Sequence, residues 1–295
     1  MTRSHSFDAV MGAILIWGAL CALGPLYLVI VTASHSAADL IRHRVPLLPG
    51  GNLAANLQSA WSHAQLARKL ANSLVVCVLV TGIKLLLATM TAFAFVYFRT
   101  PLRTIGFAAT LLTLMLPLET RIAPTYGVAA DMLSPVRALA QLAGLSFKMH
   151  WTILDTYLGL SLPVAATATG TFLFRQFFRT IPPELVDVAK VEGIGPLRFF
   201  VDVVLPLSRG NLVAFGIVTF ISAWNEYLWP LLITTTPDMQ TATLAVRGLV
   251  PDPANPVPAW NITLAGVLII SLLPVTVTAL FQRQFVRGLT GVERP

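Results

Sequence analysis

The sequence predicts an all-α integral membrane protein with six transmembrane helices. Three observations carry that reading. Of its 295 residues, 56% are hydrophobic and 11% charged, whereas soluble domains carry about 25% charge. Mean hydropathy is +0.75. Six apolar runs each reach the roughly 20 residues that a bilayer core requires; they lie at about 9–32, 70–98, 105–128, 157–178, 211–233 and 262–285.

The first run contains Pro25. It is too long for a signal-peptide core and lacks a small-residue cleavage site, so it counts as a span. The second is interrupted at mid-length by Lys84, and the third ends in a charged, proline-containing stretch around Glu119, Arg121 and Pro124. The fourth and fifth flank a polar interruption at residues 180–207, and the sixth contains Pro274. Proline inside a span is tolerated where neighbouring helices or waters satisfy the freed carbonyl. Several such kinks point to a conformationally active bundle. With the N-terminus inside, eleven Lys and Arg residues fall on the cytoplasmic side and eight on the other. Short loops dominate this bias, and the short linker 99–104 holds two arginines. Both termini and the 180–207 interruption are therefore expected in the cytoplasm, within one transmembrane domain covering 1–295.

The interruption reads TIPPELVDVAKVEGIGPLRFFVDVVLPL. Pro182 and Pro183 suit a helix start, where no hydrogen bond is lost. Glu184 and Asp187 fall in the first turn and complement the helix dipole. Leu185, Val188, Ala189 and Glu192 continue at helical spacing, and Gly193 ends the helix. Gly195-Pro196 turns the chain into a second amphipathic helix, with Leu205-Pro206 opening the next apolar segment. The residues alone leave two readings. One is a helix resting on lipid headgroups. The other is a docking helix that presents a small face, Ala189 and Gly193, to a partner.

Composition and motifs exclude several functions. A phosphate-binding P-loop needs Gly-Lys, and Lys69, Lys84, Lys148 and Lys190 follow Arg, Ile, Phe and Ala. The five histidines are dispersed without metal-ligand spacing, and no G-x-S-x-G elbow occurs. Basic residues are scattered rather than gathered in aromatic-interleaved patches, which argues against nucleic acid. Cys21 and Cys77 lie inside apolar runs and predict no structural disulfide. The expectation is a non-catalytic chain with no metal and no cofactor of its own, embedded in a lipid bilayer.

Charge inside a span is costly and marks function by default. Lys84 is the foremost case, read either as a cationic station or as a structural ion pair with Glu119 or Glu226. Glu119 and Arg121 either line an entrance or form a surface pair. Trp224, Asn225, Glu226 and Tyr227 crowd the fifth run, either lining a path or serving as polar glue between helices.

The interruption also resembles the EAA loop of binding-protein-dependent ABC importer permeases. That loop runs E-A-A, three residues, Gly, nine residues, I-x-L-P. Here Asp187-Val188-Ala189 stands at E-A-A, Gly193 at the glycine, Val203 at the isoleucine and Leu205-Pro206 at L-P. Asp187 and Val188 depart mildly from the pattern. ISAWNEYLWPLLI (221–233) is similar to the fifth-span signature of carbohydrate-uptake permeases of the maltose type, and FVRGLTGVERP resembles their ending. LMLPLETRIAPTY, LDTYLGLSLP, TFLFRQFFRTIPPELVDVAK and PLSRGNL resemble most the second permease subunit of sn-glycerol-3-phosphate importers. The resemblance is weakest at 129–153.

The resemblance implies a type I importer (MetI-like) transmembrane domain in a bacterial cytoplasmic (inner) membrane. It implies a homologous second permease subunit, two ATPase subunits that hold ATP and magnesium, and an extracytoplasmic substrate-binding protein as partners. Glu184, Asp187, Val188, Ala189, Glu192, Gly193, Leu205 and Pro206 would couple to the ATPase. Glycerol-3-phosphate or a related glycerophosphodiester would be the cargo, with another carbohydrate or polyol as the alternative. A self-contained secondary carrier would predict internal repeats or acidic residues at mid-membrane.

Overall fold

The computed structural model describes residues 5–43, 46–114, 118–145, 149–252 and 258–290. Side chains at 5–8, 43, 114, 118–119 and 283–290 lie outside that description. Every regular element among the described residues is helical. In chain order they are α1 (His5–Ala33), α2 (Ala37–His43), α3 (Leu53–His63), α4 (Leu66–Tyr97), α5 (Arg103–Leu114), α6 (Leu118–Ala130) and α7 (Ser134–Leu142). Then follow α8 (Tyr157–Ala165), α9 (Ala168–Phe178), α10 (Glu184–Val191), α11 (Pro196–Leu207), α12 (Arg209–Trp224), α13 (Leu228–Ile233), α14 (Ala242–Leu249) and α15 (Trp260–Thr290).

Three stretches are long and apolar enough to cross a membrane: Ala9–Ala33, Leu66–Tyr97 and Trp260–Gln282. Two bent pairs bring the number to five, α8 with α9 at 53° and α11 with α12 at 78°. The third expected span, 105–128, divides into α5 and α6, with residues 115–117 between them outside the described set. The fifth, expected at 211–233, is interrupted where Asn225 to Tyr227 leave the helix before α13.

The chain forms two compact units. The first comprises residues 1–70 and 244–273. In it α1 leaves most of its apolar side chains bare, Leu15 and Trp17 among them, as a lipid-facing helix must. Its C-terminal end is held by an asparagine node. Asn56 donates through Nδ2 to the carbonyls of Ala33 and His35, both at 2.8 Å, and its Oδ1 accepts from Asn261 at 2.9 Å.

The second unit comprises 71–243 and 274–295. It holds two apolar clusters. One gathers Phe93, Phe174, Phe178, Ala189, Phe199, Phe200 and Phe215 at the elbow end. The other gathers Val76, Val80, Ile153, Leu160, Trp229 and Ile233 at the opposite end. Close approach there requires glycine: a Cβ on Gly159 would lie 2.0 Å from the Ile153 carbonyl oxygen. The same backbone segment accepts the Trp229 indole N–H at 3.0 Å on the Gly159 carbonyl.

Candidate functional site

The elbow comes first, because its geometry is set locally. The α10 helix ends in a Schellman motif. Ile194 N–H donates to Ala189 O at 2.8 Å and Gly193 N–H to Lys190 O at 3.1 Å, with Gly193 at φ +70°. Only glycine adopts that backbone readily. Pro206 has no N–H to continue the next helix. The preceding turn widens to π geometry over Phe200–Val204, with Leu205 N–H donating to Phe200 O. The α11 helix therefore runs through Leu205 and Pro206, which close it instead of opening the next segment as the sequence suggested. Ser208, fully buried, takes the sharp bend and donates through Oγ to Val204 O at 2.5 Å.

One expectation about the elbow is corrected. Only half of the small face points outward: Gly193 does and Ala189 does not. Ala189 is 6% exposed and sits in the aromatic cluster with Phe93 and Phe199, while Val188 is 53% and Val191 89% exposed. Burying the apolar alanine beside phenylalanines is the favourable choice, and it turns Leu185, Val188 and Val191 outward with Glu184, Asp187 and Glu192. Gly193 remains exposed with nothing within 4 Å of where a Cβ would stand. Asp187 pairs with Lys190 at 3.0 Å and Arg198 with Asp202 at 3.1 Å. Both pairs are solvent-exposed and contribute little stability. The outward surface is thus an apolar strip edged by carboxylates.

The second feature is a cavity of about 670 Å³ among α4, α5, α6 and the α8–α9 break. Lys84 and Thr91 enter it from α4, Thr110 and Thr113 from α5, Arg121 from α6, Thr167 and Thr169 from the break, and Glu226 from the segment after α12. Ala166 and Thr167 are extended, so the polypeptide leaves the helix for two residues and restarts as α9. Thr167 Oγ1 accepts the Gly170 N–H at 3.2 Å and caps the new helix. Gly170 lets α9 approach closely, since a Cβ there would meet Phe215 Cζ at 2.6 Å and Ala88 Cβ at 2.9 Å. Unpaired amides of a helix N-terminus carry partial positive charge. They join Lys84 and Arg121 opposite the Glu226 carboxylate.

Lys84 is half-buried and lies within electrostatic range of Glu226 and Arg121, but forms no ion pair within 4.0 Å among the described residues. Glu226 Oε1 accepts instead from Trp229 N–H at 3.3 Å, and its carbonyl accepts from Thr243 Oγ1 at 3.0 Å. Three of the path candidates, Lys84, Arg121 and Glu226, therefore converge. Trp224 is 2% exposed and stacks on Phe220, with centroids 6.5 Å apart. Asn225 and Tyr227 are exposed and line no part of the cavity. The Glu119 side chain falls outside the described residues.

Sequence reasoning missed the threonines. Thr167, Thr169 and Thr171 form an alternating polar string behind Pro163. That string is the available signal for a broken helix, and a hydropathy window averages it away. Asp155 was also missed. Its carboxylate accepts from Thr235 N–H at 2.7 Å, Thr236 N–H at 3.0 Å and Thr236 Oγ1 at 3.1 Å, and also from the Thr235 hydroxyl. Partial burial pushes this carboxyl up, but those donors outweigh it and hold it below its ordinary value. Thus the loop before α8 is latched to the loop after α13.

A helical membrane chain with a broken-helix cavity and an amphipathic elbow is the form of a transporter membrane component. The sequence matches the family described as binding-protein-dependent transport system inner membrane component over residues 84–291, and the chain belongs to that family. It is 40% identical over 296 residues to the sn-glycerol-3-phosphate transport system permease protein UgpE of Yersinia enterocolitica, with 98% of each chain covered. It is 39% identical over 286 residues to the protein of the same name from Escherichia coli, with 95% of each covered. Among solved structures, a chain of a bacterial ABC transporter involved in import of the acidic polysaccharide alginate superposes with TM-score 0.74 at 19% identity, covering 97% of this chain and 98% of that one. A second structure, of the alginate transporter in complex with its pentasaccharide-bound periplasmic protein, gives TM-score 0.62 at 13% identity, covering 95% and 94%. These two likenesses concern the fold.

Proposed function

We propose that this chain is one half of the translocation pathway of an ATP-driven importer for sn-glycerol-3-phosphate or a related glycerophosphodiester. The observation that carries the proposal is the 40% identity to UgpE over 98% of both chains. The cavity supports it chemically. A phosphomonoester dianion needs cationic and N–H donors, and Lys84, Arg121 and the α9 N-terminus supply them on a threonine-rich wall that suits glycerol hydroxyls.

On this reading the chain is a single six-span domain with both termini in the cytoplasm. A second, homologous permease completes the pathway, and an extracytoplasmic binding protein delivers the substrate. Two ATPase subunits hold ATP and magnesium and dock on α10. Force enters at Leu185, Val188 and Val191, with Glu184, Asp187, Glu192 and Gly193 at the edge of the contact. It passes through Ala189 to the aromatic cluster, and Leu205 and Pro206 carry it into α12. Alternating access then shifts between states that differ in affinity for the elbow's partner. The decisive measurement is ATPase activity of the reconstituted complex with binding protein present. Glycerol-3-phosphate is expected to stimulate it and maltose-like sugars to leave it at the basal rate. Stimulation by the sugars alone would overturn the substrate assignment.

A further inference from the structure

Among the described residues lining the cavity, Glu226 is the only acid. It stands in the break between α12 and α13 and is fixed at two points. Its Oε1 accepts from Trp229 N–H at 3.3 Å, and its carbonyl accepts from Thr243 Oγ1 at 3.0 Å. Trp229 is itself locked, fully buried with its indole N–H on the Gly159 carbonyl. Lys84 forms no ion pair with Glu226 among the described residues. The other carboxylate oxygen, Oε2, accepts no hydrogen bond from any described residue. A carboxylate has room for about four such bonds, so a half-buried acceptor stands open at the cavity.

The rest of the lining says what that acceptor meets. A threonine hydroxyl has one proton to give. Thr110, Thr113 and Thr171 give theirs to the carbonyls of Gly106, Thr110 and Thr167, at 2.9, 2.7 and 3.1 Å. These three can accept from a ligand but not donate to it. The charged donors are Lys84 and Arg121. A ligand with an anionic end and a hydroxyl end therefore has one favourable orientation, because the reverse sets phosphate against carboxylate and like charges repel. We propose that Glu226 is a specificity-determining residue of the cavity: its Oε2 accepts a hydroxyl proton of the glycerol moiety, and its charge turns the phosphate toward Lys84 and Arg121. This rests on the substrate reading above and adds to it the group that tells a glyceryl phosphate from a phosphate without hydroxyls. A hydroxyl bonded to a carboxylate is about twice as strong an interaction as a neutral pair, and a repulsive element is what rejects the wrong ligand.

Equilibrium dialysis of the detergent-purified complex of permeases and ATPase subunits, without binding protein, tests this with radiolabelled sn-glycerol-3-phosphate. The competitor is n-propyl phosphate, which keeps the phosphate and lacks both hydroxyls. Wild type is expected to bind propyl phosphate roughly 10- to 100-fold more weakly than glycerol-3-phosphate, the worth of one charge-assisted hydrogen bond. Glu226→Gln keeps an oxygen for Trp229 N–H and loses the charge, so that ratio should fall close to one. Lys84→Met should weaken both ligands alike and leave the ratio as in wild type. A Glu226 that only braced the break between α12 and α13 would also weaken both alike on replacement, which overturns the proposal. Equal affinity of wild type for the two ligands would overturn it without any variant. In both of these cases, glycerol-3-phosphate binding that Lys84→Met weakens leaves the substrate reading standing. No binding of glycerol-3-phosphate by wild type at millimolar concentration, or binding that neither variant changes, would remove that reading and this proposal with it.

Discussion

Gly193 separates the local role of the elbow from its role toward a partner. Its φ of +70° places it in the left-handed region, where any side chain bearing a Cβ costs about 1–2 kcal/mol. Asparagine tolerates this region better than alanine. Nothing stands within 4 Å of the missing Cβ, so alanine and phenylalanine carry the same backbone strain and neither meets an internal clash. About 1–2 kcal/mol is small beside the roughly 5–15 kcal/mol stability of a folded protein. All three variants should therefore insert and assemble. Phenylalanine alone extends into the open space beside Val188 and Val191, where the ATPase subunit docks in the proposal. Overpacking a contact by that much costs about 1–3 kcal/mol, or roughly five- to 150-fold in coupling. Substrate-stimulated ATP hydrolysis and uptake by the reconstituted complex are the assay. Gly193→Asn should stay near wild type, Gly193→Ala should fall a few-fold, and Gly193→Phe should lose coupling while basal hydrolysis persists. If phenylalanine matches alanine, no partner contacts this face. If alanine is already as damaging as phenylalanine, backbone strain and not docking explains the loss.

Lys84→Met removes one charge-assisted contact of about 1.5–3 kcal/mol and should slow glycerol-3-phosphate uptake roughly ten- to hundredfold with assembly intact; unchanged uptake removes Lys84 from the path. Gly159→Ala drives a Cβ into the Ile153 carbonyl. A cost of about 3 kcal/mol should lower the Tm in detergent by roughly 6–12 °C, and a Tm equal to wild type would contradict that close approach. Asp155 is held below its ordinary value by its Thr235 and Thr236 donors. Its contribution is therefore complete above the unfolded value of about 3.9 and is lost as pH falls through the lower folded value. Amide exchange at Thr235 and Thr236 should accelerate below about pH 4 in wild type and be pH-independent in this respect in Asp155→Asn; identical profiles would show the latch does not hold the loops.

The elbow was legible because it is written in adjacent residues. Pro182 and Pro183 start a helix, Gly193 ends one, and the spacing to Leu205-Pro206 marks the family. Which side of that helix faces in was not legible. Val188 and Ala189 are neighbours on the chain, and only the position of Phe93 and Phe199 decides that Ala189 is the buried one. The cavity was half legible. Lys84, Arg121 and Glu226 stood out as charge in apolar surroundings, and the structure brings those three together. Trp224, equally conspicuous in the sequence, is consumed by packing against Phe220.

Sequence alone determined that this chain is helical and membrane-embedded, and it located the elbow. Hydropathy, proline and glycine act within a few residues, so their message survives reading in one dimension. Tertiary structure decided where spans break, which threonines line the cavity and that Asp155 holds Thr235, 80 positions away. It also decided that α10 turns Leu185, Val188 and Val191 outward while Ala189 is spent on the core. Those outcomes depend on which faces meet when distant helices pack, a choice no single segment contains.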